Sequence, residues 1–64
     1  MYISEGFREE YLVKRRRKKI KHTDIASHIG CSQSLISHFE LGTSGMSEDK
    51  IIKYINYIDN KKMN

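Results

Sequence analysis

The segment DIASHIGCSQSLISHFELG, Asp24 to Gly42, decides the fold. Its apolar residues form two short stripes, Ile25, Ala26 and Ile29, then Ile36 and Phe39, with a glycine between them. Residues three and four apart share one side of a helix, so each stripe describes a short helix with one inward face. Gly30 closes the first helix, because glycine enters the left-handed conformation without a Cβ penalty. Ser32 opens the second as an N-cap. Gln33, Ser34, Ser37 and His38 lie off the inward stripe, and Leu35 is exposed by periodicity. No residue of the segment is Lys or Arg.

Working outward, Ser4 caps a first helix with Glu5 behind it, and Phe7, Tyr11 and Leu12 give that helix an apolar side up to about Lys18. The helix before Gly30 spans roughly His22 to Ile29. Thr23 is its better intrinsic cap, while spacing points to Lys21. Gly42-Thr43-Ser44-Gly45 is a loop by composition. Ser47 caps a last helix, with Glu48 and Asp49 in its first turn. There Ile51, Ile55 and Ile58 recur at i, i+4 and i+7, flanked by Ile52, Tyr54 and Tyr57. A core needs only one face, so the surplus at Ile52, Tyr54, Tyr57 and Ile58 provides a candidate dimer contact. Period-2 alternation never persists, so no strand is expected. The fold class is all-α, in one domain over residues 1–64.

Size and composition narrow the function. A chain of 64 residues with 38% apolar content supports a small helical core and no deep catalytic cleft. No acid, base and nucleophile are grouped, so the expectation is not an enzyme, with no cofactor and no small-molecule substrate. One cysteine forms no intrachain disulfide, which suits a reducing cytosol. The longest apolar run is three residues, far short of a membrane span. MYISEGFREE lacks the basic and apolar regions of a signal peptide, so a cytoplasmic protein is expected. His22, His28 and His38 have no carboxylate or Cys partner at ligand spacing, so no metal site is expected. Cys31 is taken as a small apolar filler of the turn.

The net charge of +4 is concentrated: between Lys14 and Lys21 only Ile20 is neither Lys nor Arg. From His22 to Asp49 there is neither. Such a block suits a polyanion, since neutralised phosphates release counterions. A solvated helix end, favoured by the helix dipole, is the bland alternative.

Two helices joined by Gly-Cys-Ser, with a small alanine early in the first, describe a helix-turn-helix at about residues 22–41. Ile25, Ala26, Gly30, Ser32, Gln33, Ile36, Phe39, Glu40 and Gly42 keep their spacing without a gap. This pattern resembles the Cro/cI-type (XRE) helix-turn-helix family of phage and bacterial repressors, and the likeness covers about Phe7 to Ile58. The resemblance implies a compact four- to five-helix bundle of the lambda-repressor-like type, with its third helix in the DNA major groove. It implies base reading by Gln33, Ser34, Leu35, Ser37 and His38. Gln33 would pair with adenine, Leu35 would touch a thymine methyl, and His38 would reach guanine N7 or a phosphate. Lys19, Lys21, His22, Ser32 and Thr43, with the loop amides, would hold the DNA backbone. His22 would also brace Gln33. Arg15 and Glu40 match a buried salt bridge of some members. Leu41 departs from the family, which often has asparagine there.

The function this implies is a DNA-binding transcriptional regulator, a repressor or Cro-like switch, encoded by a bacterium or phage. It would act as a homodimer on a double-stranded operator, with a regulatory protein as a further candidate partner. A protein-binding helix-turn-helix module, an antirepressor or partner of another regulator, is the alternative.

Overall fold

The computed structural model describes residues 4–62. The first three residues of MYISEGFREE, on which the signal-peptide expectation bears, lie outside them. Four helices form: α1 (Glu5–Arg17), α2 (His22–Ile29), α3 (Gln33–Leu41) and α4 (Glu48–Asn60). The described residues contain no strand, so the chain is all-α.

The helix starts follow from local chemistry. The hydroxyl oxygens of Ser4, Ser32 and Ser47 accept the N–H groups of Phe7, Leu35 and Lys50 at 3.2, 3.1 and 3.4 Å. Each bond satisfies a donor that the first helical turn leaves unpaired. α2 starts after Lys21, which has no side-chain acceptor. The Asp24 carboxylate instead reaches back to the Lys21 N–H at 3.4 Å, the carboxylate half of a capping box.

The three inter-helix turns share one device. At the end of α3, Thr43 N–H donates to His38 O and Gly42 N–H to Phe39 O, with Gly42 at φ 79°. At the end of α2, Cys31 N–H donates to Ala26 O past Gly30 at φ 85°. At the end of α1, Ile20 N–H donates to Arg15 O and Lys19 N–H to Arg16 O. These are left-handed C-terminal closures of the Schellman kind. In α1 the left-handed residue is Lys19, at φ 58°, where a side chain is disfavoured.

α1 and α2 each pack on α3 and α4, and the Cα radius of gyration is 10.6 Å. The core is Tyr11, Ile20, Ile25, Ala26, Ile29, Ile36, Phe39, Ile51, Tyr54 and Ile58. Each aliphatic side chain fully buried there stabilises the fold by about 1.5–3 kcal/mol. Ile20, the lone apolar residue of the basic block, follows the left-handed Lys19 and is driven inward by that turn.

Helix α4 requires a correction. Its inward face is Ile51, Tyr54 and Ile58, and Tyr54 and Ile58 are 1% and 0% exposed. Neither is available to a dimer contact. Burying Tyr54 leaves Ile55 half-buried, because the inward face runs i, i+3, i+7 and passes residue 55 by. Of the expected seam, Ile52 stays exposed, and Tyr57 is half-buried with its ring centroid 4.8 Å from that of His28. Among the described residues, no helix is long and apolar enough to cross a membrane.

Candidate nucleic-acid interface

Arg15 and Glu40 lie at the junction of the helices. Arg15 Nε and one terminal guanidinium nitrogen donate to Glu40 Oε2 and Oε1 at 2.7 and 3.1 Å. Tyr54 Oη donates to Oε2 at 2.7 Å, and His22 Nε2 lies 2.9 Å from Oε1. An ionised carboxylate only accepts, so His22 Nε2 carries the hydrogen in that bond. Each Glu40 oxygen thus takes two donors, which fills the carboxylate's capacity. Burial alone would raise the Glu40 carboxyl, but the bonds from Arg15, Tyr54 and His22 outweigh it and hold it below the usual carboxylate range. The remaining Arg15 nitrogen donates to Ile20 O at 2.9 Å, locking the turn that carries Lys19. His22 therefore points at Glu40 rather than at Gln33, and the expected brace on Gln33 is replaced by a bond to the core.

The basic block divides in two. Besides Arg15, two more of its members are held within the fold. Lys14 sits 3.6 Å from the Asp59 carboxylate and 4.6 Å from the Tyr11 ring centroid. Lys18 Nζ donates to the carbonyls of Ile58 and Asp59, carbonyls that the end of α4 would otherwise leave unpaired. Sequence reasoning placed only Arg15 inward. The acceptors at the far end of α4 cannot be seen from the block itself. Arg16, Arg17, Lys19 and Lys21 remain exposed, with no side-chain partner among the described residues.

The α3 surface is graded. Gln33, Ser34 and His38 are exposed, while Leu35 and Ser37 are half-buried. Ser32 caps α3 through its oxygen, which leaves its O–H free to donate outward. Thr43 differs. Its N–H donates to His38 O at 2.9 Å, its hydroxyl oxygen lies 3.2 Å from the same carbonyl, and Ser44 N–H adds a bond there at 3.3 Å. The N–H groups of Gly42, Thr43 and Ser44 are thus spent on carbonyls of α3, which corrects these loop amides as expected phosphate contacts and leaves the exposed Thr43 hydroxyl as the group that could make one.

The same hydroxyl lies against the His38 ring. Thr43 Oγ1 is 3.0 Å from His38 Nδ1, a hydrogen bond in which either atom can supply the hydrogen. His38 Nε2 has no hydrogen-bond partner among the described residues. Beside it at the end of α3, Leu41 is 70% exposed. Among the described residues, no three His, Cys, Asp or Glu side chains are grouped to hold a metal ion.

No family model, no curated protein and no solved structure matches this chain.

Proposed function

We propose that this chain is a sequence-specific double-stranded DNA-binding transcriptional regulator of the lambda-repressor-like helix-turn-helix type, a repressor or Cro-like switch working in a bacterial or phage-infected cytoplasm. One observation carries the reading. The first turn of α3 presents Gln33 and Ser34 exposed and unpaired, while the cations outside that helix divide into a held set and a free set. The free Lys19 and Lys21 stand at the turn into α2, whose first residue, His22, touches Glu40 of α3. Attraction and base reading then fall to different residues. Lys19, Lys21 and the Ser32 hydroxyl take phosphates, while Gln33 takes adenine.

His38 joins this reading face. Its Nε2 donates to guanine N7 or a phosphate in one tautomer and accepts from an exocyclic amino group of adenine or cytosine in the other. A homodimer would place two such surfaces about 34 Å apart on a two-fold operator.

Selection of bound duplexes from a random pool tests this. A palindromic site is expected, and Gln33→Ala should lose preference for it by about 1–3 kcal/mol while retaining non-specific binding. Lys21→Ala should weaken all sequences alike and lower the salt slope by about 1. Absence of binding to bulk duplex at both low and moderate salt would sink the proposal. The neutral α3 face and the bare Leu41 side chain favour the second reading, a protein-binding module, in that event.

A further inference from the structure

The outer face of α1 is self-complementary in charge. Gly6, Glu9, Glu10, Val13, Arg16 and Arg17 are all exposed, and Val13, at 40%, is one of the few large apolar side chains left open to solvent. On a helical wheel with Val13 at the centre, Gly6 falls about 20° away, Glu9 and Arg17 about 40° to opposite sides, and Glu10 and Arg16 about 60°. Each flank of Val13 therefore carries one carboxylate towards the N-terminus and one guanidinium towards the C-terminus. The helix dipole accounts for acids before bases along α1. It does not account for their collection around a bare valine. None of these four charged side chains has a hydrogen bond or ion pair among the described residues, and a shallow open depression runs along Gly6, Glu9, Glu10, Val13, Lys14 and Arg17, with the Lys14 ammonium turned away to Asp59.

We infer that a second copy of this chain docks on this face, α1 against α1 and antiparallel, about a two-fold axis at Val13. The reversal sets Glu9 beside the partner's Arg16 and Glu10 beside the partner's Arg17, each within about 1.5 Å of the same height along the helix. The two-fold repeats both pairs, so four ion pairs surround a valine–valine contact. A parallel arrangement would oppose like charges and is excluded by repulsion. Gly6, with no side chain, keeps the end of the face low, where the partner's α1 C-terminal turn arrives. A face one helix long is small for a dimer, so the association is weak and dominated by charge. The inference does not depend on DNA reading, and its test contains no DNA.

Sedimentation equilibrium tests it. At low salt the apparent mass of the wild type is expected to rise towards the dimer by about 1 mM protein, and to return to the monomer in high salt. The double variants Glu9→Arg/Glu10→Arg and Arg16→Glu/Arg17→Glu should each stay monomeric, being like-charged around Val13. An equimolar mixture of the two should recover the dimer, because every pair is then opposite in sign. All four positions are exposed, and circular dichroism checks that each variant keeps its helices. A wild type that is monomeric throughout at low salt overturns the inference. So does a dimer that survives high salt or both double variants, which would point to Ile52 on α4 instead. Failure of the mixture to recover the dimer with both variants folded has the same force.

Discussion

Tyr54 of α4 donates its hydroxyl hydrogen to Glu40 Oε2 of α3 at 2.7 Å, inside the core. That bond explains how a phenol becomes the most deeply buried aromatic side chain among the described residues, since a buried hydroxyl needs an acceptor. It also makes Glu40 the acceptor for three other segments of the chain.

Glu40→Gln should be costly. It leaves the Arg15 guanidinium buried without its counter-charge, and breaking such a pair from one side typically costs about 3 kcal/mol. Urea titration would measure the loss, with DNA affinity per folded molecule largely retained. The pH dependence has a defined sign. The folded carboxyl lies below its unfolded value, so this stability is complete above the ordinary carboxylate range and is lost as pH falls through the folded value. The gap between wild type and variant should therefore narrow only in acid.

The alkaline side is governed by two phenols. Burial first, and then the bond to Asp59, push Tyr11 up to about 12, and burial with the Glu40 bond pushes Tyr54 higher still. Folded phenols that hold their protons more tightly than unfolded ones make stability fall as pH rises from the ordinary tyrosine range. Phenolate absorbance should show these two tyrosines ionising late and together with unfolding. Ionisation of both in the ordinary range, with the helices intact, would contradict the buried geometry.

Lys19→Gly should stabilise the fold by about 0.5 kcal/mol. Relief of the left-handed strain exceeds the entropy glycine adds to the unfolded chain. The same change removes a proposed phosphate contact, so DNA binding should weaken as the melting temperature rises. A parallel loss of stability would mean that the Lys19 side chain holds something in the fold.

Thr43→Val keeps the shape and removes the hydroxyl beside His38. The bond between Thr43 Oγ1 and His38 Nδ1 should hold the wild-type ring in one tautomer, visible by heteronuclear NMR of the imidazole nitrogens. In the variant that preference should vanish, at a stability cost of about 1 kcal/mol.

Much of this architecture is legible in the sequence, for reasons tied to particular residues. Ser4, Ser32 and Ser47 mark helix starts because a cap is a local bond, made within three residues. Gly30 and Gly42 mark ends because left-handed backbone favours them. The inward stripes of α2 and α3 follow from periodicity. What escapes is non-local. Tyr54 looks like surface surplus until its acceptor, 14 residues earlier, is known. Lys14 and Lys18 look like a solvated charge run until Asp59 and the end of α4 arrive beside them. Ile20 looks like an interruption until the Lys19 turn points it inward. The Thr43 amide looks like a phosphate ligand until its hydrogen is traced to His38 O. In each case composition was informative and the partner was not.

Glu40 is touched by α1 through Arg15, by α2 through His22 and by α4 through Tyr54, and it belongs to α3. No helix can peel away without stripping a donor from one buried anion, so partial opening is penalised wherever it begins. A chain of 64 residues held at this one point should therefore unfold as one cooperative unit. Its core amides should exchange with solvent only through complete unfolding, with no helix released early. A substitution at position 15, 22 or 54 should accordingly be felt at the other two, because all three serve the same pair of oxygens.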